Sequence, residues 1–86
     1  KNILKRNGII ALGNMRDKEK LNLLEPLLKD PNSMTREYTV WAILNIDYEY
    51  GKEVIKDIWK YEKDKNIKLE LERLINYFHS KTTNNN

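Results

Sequence analysis

The side chains best able to meet a polyanion crowd into the first third of this chain. Lys1, Lys5, Arg6, Arg16, Lys18 and Lys20 fall there, and residues 1–29 hold seven Lys/Arg against three Asp/Glu. Residues 30–86 hold nine against ten, so the net charge of +3 is one-sided. Amides and aromatics accompany these cations: Asn7, Asn14, Tyr38, Trp41 and Asn45. Cations neutralise phosphates, amides bond base edges or sugars, and aromatic rings stack on unpaired bases. An ordinary solvated surface has the same composition, so charge alone does not choose between the two.

Other chemistry is thinly supplied. There is no cysteine. That removes thiolate nucleophiles, disulfides, zinc–thiolate sites and iron–sulfur clusters from this segment. His79 is the one histidine, which makes neither a metal cluster nor a triad. Glu70 and Glu72 are two apart and diverge on a helix. Gly8, Gly13 and Gly51 are isolated, so no glycine-rich phosphate loop exists.

The elements that position these residues follow from an internal repeat. At an offset of 31, Ile9 meets Val40, Ala11 meets Ala42, Leu12 meets Ile43 and Leu24 meets Ile55. Periods of about 20–50 residues mark stacked units. Apolar spacing predicts five helices: Asn2 to Met15, Lys18 to Lys29, Met34 to Asn45, Gly51 to Lys63 and Ile67 to His79. The first is expected to bury Leu4, Gly8, Ala11, Leu12 and Met15. Asp17 and Ser33 are expected N-caps, and Asp30-Pro31 ends the second helix. No segment alternates with period two, so no strand is expected. The predicted fold is all-α, a short α-solenoid of HEAT-like repeats with about five antiparallel helices. Residues 1–79 form the domain and 80–86 a disordered polar tail.

The chain begins at a lysine inside a helix, so a fragment of a longer polypeptide is expected. No apolar run approaches the roughly 20 residues that span a bilayer, and Lys5, Arg6 and Asn7 interrupt any signal-peptide core. The absence of cysteine fits a cytoplasmic protein.

On the first helix Ile3, Asn7, Ile10 and Asn14 share one outer strip, with Arg6 beside it. Moved by 31 the strip becomes Met34, Tyr38, Trp41 and Asn45, and moved again Leu69, Glu72 and Asn76. In HEAT stacks these helices line the concave wall. The row Lys1, Lys5, Arg6, Asn7, Asn14, Arg16, Lys18, Tyr38, Trp41 and Asn45 is the candidate nucleic-acid-binding set. Each has a structural alternative. The asparagines sit where a left-handed helix cap is wanted, and Tyr38 and Trp41 could pack on a neighbouring domain. Arg36 is expected to bond an acid such as Asp30, and Lys5 shares its repeat position.

The string Lys5-Arg6-Asn7 followed by Ala11-Leu12-Gly13-Asn14 is more particular than a generic unit, although Ala-Leu-Gly at a helix end also resembles the compact repeats of phycobilisome lyases. Together with Asp30-Pro31, Arg36-Glu37 and Trp41-Ala42, it resembles the C-terminal HEAT-like domain of tRNA epoxyqueuosine reductases, over roughly residues 4–46. Beyond Asp47 only a helical pattern is shared. The resemblance implies a parent oxidoreductase that makes queuosine at the tRNA wobble position, with two [4Fe–4S] clusters and cobalamin. Those groups would lie upstream, leaving this fragment without cofactors or activity of its own. Its implied partners are the anticodon arm of tRNA and the upstream catalytic domain. The competing expectation is a HEAT-like protein-interaction scaffold. A helical-repeat binder of DNA lesions is a third possibility, supported by the repeat alone.

Overall fold

The computed structural model describes the backbone of residues 2–83 and the side chains of residues 5–81. Helix α1 spans Asn2–Met15, α2 Leu21–Leu24, α3 Ser33–Ile46, α4 Tyr48–Trp59 and α5 Lys65–Thr83. Single 3₁₀ turns, Lys18–Lys20 and Glu25–Lys29, flank α2. There is no strand among the described residues, and the fold is all-α as expected.

The second predicted helix is the one most altered. Asp17 caps it as expected, its carboxylate accepting from the Glu19 N–H at 3.0 Å. Pro26 then interrupts it. Proline has no N–H to donate to the carbonyl four residues back, and its ring crowds that carbonyl. The α-helical stretch therefore stops at Leu24, and Glu25–Lys29 tightens into 3₁₀ geometry.

Three short polar residues set the remaining joints. Asn32, rather than Ser33, caps α3 by accepting from the Thr35 N–H at 3.0 Å. Asp47 alone joins α3 to α4. Its N–H closes α3 on the Ile43 carbonyl at 2.8 Å, and its carboxylate opens α4 by accepting from the Tyr50 N–H at 3.1 Å. So α4 starts three residues before the predicted Gly51. Asp64 accepts from the Asn66 and Ile67 N–H groups and opens α5. That helix continues to Thr83, so residues 80–83 are helical where a tail was expected. Residues 84–86 lie outside the described part.

Helix α3 is the centre of the molecule. It supplies Ala42, Ile43 and Ile46 to a core with Ile9, Leu24 and Val54. It supplies Val40 and Leu44 to a second core with Ile55, Ile67, Leu71 and Phe78. Ile9, Val40 and Leu71 occupy one repeat position at successive offsets of 31, and all three are at most 1% exposed. The order of contacts along each pair shows that α1, α3 and α5 run in the same direction. Arg6 lies by Tyr38 and Gly13 by Asn45, while Tyr38 and Trp41 share a cleft with Leu74.

The stripe expected to bury α1 is not the buried one. Gly8 and Ala11 are exposed and Met15 is 58% exposed, whereas Ile9 and Gly13 are buried and Leu12 is half-buried. Among the described helices α1 packs mainly on α3, so only a narrow seam is covered. Gly13 selects that seam. A Cβ there would stand 2.6 Å from Trp41 Cζ3 and 3.1 Å from the Ala42 Cα, so glycine permits a close approach no larger residue allows.

Candidate nucleic-acid interface

The outer face shared by α1, α3 and α5 carries two open clefts. The first holds about 200 Å³ and is lined by Ile10 of α1, Glu37, Tyr38 and Trp41 of α3, and Leu74 of α5. Arg6 stands at its edge, its guanidinium carbon 6.0 Å from the Tyr38 ring centre. That is the outer limit of a cation–π contact, so the charge keeps much of its freedom. The second cleft runs along the α3–α5 seam, lined by Met34, Glu37, Asn66, Ile67, Leu69, Glu70 and Arg73.

The predicted residues divide between this face and the scaffold. Arg6, Tyr38 and Trp41 come together, with both rings half-buried rather than sealed. Asn7 and Asn14 are exposed and flank Ile10 at i−3 and i+4 on the same side of α1. Asn45 is otherwise engaged. Its amide donates to the Gly13 carbonyl at 2.9 Å, so it satisfies an end-of-helix acceptor of α1 and ties α3 to it. Lys5 is held by Asp30 at 2.8 Å, and Lys18 lies 3.7 Å from Asp47 at the α3–α4 joint. Arg16 is exposed just past α1. It is the residue with positive φ, at 54°, so the left-handed position falls on Arg16 and not on an asparagine. Lys1 lies outside the described residues.

Arg36 serves the scaffold as expected, through a different acid. Its Nε and Nη2 donate to Glu62 at 3.0 and 2.8 Å, a two-point pair, and Nη1 donates to the main-chain carbonyls of Asp30 and Pro31. Lys5–Asp30 and Arg36–Glu62 are alike, their cations 31 residues apart and their acids 32: a cation early in one helix holds the acid in a later turn. Each acid also orders its own turn, Asp30 accepting from the Asn32 N–H and Glu62 from the Asp64 N–H. The hydrogen bond from Lys5 holds the Asp30 carboxyl below its ordinary range, and that from Arg36 does the same for Glu62.

Glu37 was not expected at this face. It is half-buried, lines both clefts, and forms no ion pair or hydrogen bond among the described residues. Burial pushes its carboxyl upward, and the nearby negative Glu70 adds to the rise. The signal was present in the sequence, since Glu37 stands at i+3 from Met34 and i−4 from Trp41 in the predicted strip. Among the described residues no cluster of His, Asp and Glu could hold a metal ion, and no helix is long and apolar enough to cross a membrane.

The comparison with known proteins bears on which parent such a face belongs to. The chain is 40% identical over 72 residues to the epoxyqueuosine reductase of Bacillus subtilis (strain 168). It is therefore related to a part of that enzyme. The match takes in 81% of this chain and spans only 18% of the enzyme's length. No protein-family model and no solved structure matches the chain.

Proposed function

We propose that this chain is a HEAT-like, tRNA-binding accessory domain of a cytoplasmic epoxyqueuosine reductase, whose parent reduces epoxyqueuosine to queuosine at the tRNA wobble position. The observation that carries the RNA reading is the open cleft. It gathers Ile10, Tyr38 and Trp41 under Arg6 in a chain related to part of such an enzyme. Two half-buried rings, apolar walls and an exposed cation are what an unstacked nucleotide needs. Asn7 and Asn14 extend the face on either side of Ile10 with exposed amides. The reduction itself, with two [4Fe–4S] clusters and cobalamin, belongs on this reading to the remainder of the enzyme. A cysteine-free chain has no thiolates with which to ligate such clusters. This chain's part is to hold the anticodon arm.

A protein-interaction scaffold is the second reading. Glu37 and Glu70 interrupt the basic rim, and Asp30 neutralises Lys5. Titration with tRNA across a salt series separates the two. The RNA reading expects affinity to fall steeply with salt, and Arg6→Ala to flatten the log–log slope by about one unit. Absence of binding at low salt overturns it.

A further inference from the structure

Resting on the RNA reading, we infer that Glu37 makes the cleft selective for guanine, taking the base's Watson–Crick edge while Tyr38 and Trp41 hold its faces. An RNA-binding surface has no use for a carboxylate as a phosphate contact, yet Glu37 lines both clefts and pairs with no cation among the described residues. The other charges nearby are arranged to leave it so. Arg73, which lines the second cleft, is held by Glu70 on its own helix at 2.6 Å, and Arg6 sits over the Tyr38 ring.

The chemistry of an ionised carboxylate then chooses the base. It only accepts, and its two oxygens match two neighbouring donors. Guanine alone presents two adjacent donors on its pairing edge, N1–H and N2–H₂. Adenine and cytosine each offer one amino group beside a ring-nitrogen acceptor. Uracil offers one N–H between two carbonyls, which would meet the carboxylate with repulsion. The remaining walls, Ile10 and Leu74, are apolar and offer the base no competing polar partner. The cleft, of about 200 Å³, is open to solvent, and a base that offers its pairing edge to Glu37 there must be unpaired.

The test uses the whole chain and fluorescently labelled heptaribonucleotides at low salt, followed by anisotropy. UUUGUUU is expected to bind roughly tenfold more tightly than UUUUUUU, the scale of one two-point base contact. The inosine version, UUUIUUU, lacks the N2 amino group and is expected to fall between them. Glu37→Gln is expected to bind the guanine and uracil oligomers alike, guanine losing its advantage and uracil its repulsion. Failure of every oligomer to bind, with tRNA also failing, overturns the RNA reading and this inference together. Binding without guanine preference, or a preference that Glu37→Gln leaves intact, overturns only the role of Glu37. Displacement of UUUGUUU by the short peptide acetyl-Gly-Arg-Gly-amide would assign the carboxylate to a cationic protein ligand and overturn the guanine reading. Should Glu37→Gln not fold, the inosine oligomer poses the same question to the unaltered protein, and equal affinity for guanine and inosine refutes the two-donor contact.

Discussion

Against α1, helix α3 packs through a glycine, with Trp41 and Ala42 pressed onto Gly13 and the Asn45 amide bonded to the Gly13 carbonyl. Against α5 it shares a well-buried core of Val40, Leu44, Ile67 and Leu71, yet the outer edge of that seam stays open as one cleft and as part of another that α1 closes with Ile10. Both seams carry a cation-to-turn ion pair, its cation at the same repeat position. The contrast shows what each junction is for. The α1–α3 seam fixes the height of one helix against the next, which sets Ile10 and Arg6 opposite Tyr38 and Trp41. The α3–α5 seam leaves side chains accessible, and an unpaired carboxylate persists there. Open seams are where a fold can keep groups that cost it stability.

The largest expected effect comes from filling the tight seam. Gly13→Val would place a branched side chain against Trp41 and the Ala42 backbone. Overpacking of that kind costs about 3 kcal/mol, and the β-branch adds no helix propensity in return. Thermal or urea unfolding measures the loss. Because Trp41 must move, RNA affinity should fall too, in variants still folded at low temperature. An unchanged unfolding midpoint would show that the two helices do not approach so closely.

The ion pairs offer a finer comparison. Arg36→Ala leaves Glu62 with its side chain 5% exposed and without its two-point partner, an expected loss of about 2 kcal/mol. Lys5→Ala is expected to cost less, because the Lys5 side chain is 47% exposed and makes a single contact. The sign of the pH dependence follows from the carboxyls. Both Asp30 and Glu62 are held below their ordinary values, so their contribution is complete at neutral pH. It is lost as pH falls from the ordinary carboxylate range down through their folded-state values. Arg36→Ala should therefore flatten the acid limb of the stability curve, and more so than Lys5→Ala.

Much of this arrangement was legible in the chain because helices that pack side by side leave an apolar record in their spacing. Ile9, Val40 and Leu71 are found at one offset and are buried alike. The cleft residues Ile10, Tyr38 and Trp41 were placed on one strip by the same offset. The errors have physical causes. The α1 stripe was misassigned because Gly8, Ala11 and Met15 satisfy helical periodicity as well as Ile9 and Gly13 do, and only the neighbouring helix breaks the tie. Pro26 was passed over inside a leucine-rich run, although a missing N–H outweighs apolar spacing. Asn45 carries no mark in sequence that its amide is already bonded, since its partner lies 32 residues away, whereas the repeat position that Lys5 shares with Arg36 did point to its acid. Glu37 was missed because the strip was drawn through amide, aromatic and apolar residues, and an acid beside them has no place in a phosphate-binding set.

A substitution on α1's free side sharpens the glycine comparison with the opposite sign. A Cβ at Gly8 meets nothing within 4 Å. Gly8→Ala should therefore raise stability by about 0.7 kcal/mol through helix propensity and a less flexible unfolded chain. Unfolding of this variant beside Gly13→Val asks whether glycine is required for space or is merely tolerated.

The smallest expected shift bears most directly on the open seam. The Glu37 carboxyl is raised by burial and by Glu70, so its ionised form is disfavoured in the folded protein. The sign is opposite to that of Asp30 and Glu62. Stability linked to a raised carboxyl is complete below its unfolded value and declines as pH climbs through the folded one. At neutral pH the ionised group is therefore a small liability, discounted by the solvent that reaches it. Glu37→Gln should raise the melting temperature at pH 7 by less than Gly8→Ala does, and the gain should vanish below the ordinary carboxylate range, where Glu37 is protonated in both states. A variant less stable than the parent at pH 7 would mean that Glu37 holds the α3–α5 seam together. The carboxylate would then be part of the scaffold, and the contrast between a closed junction and an open one would fail at its central residue.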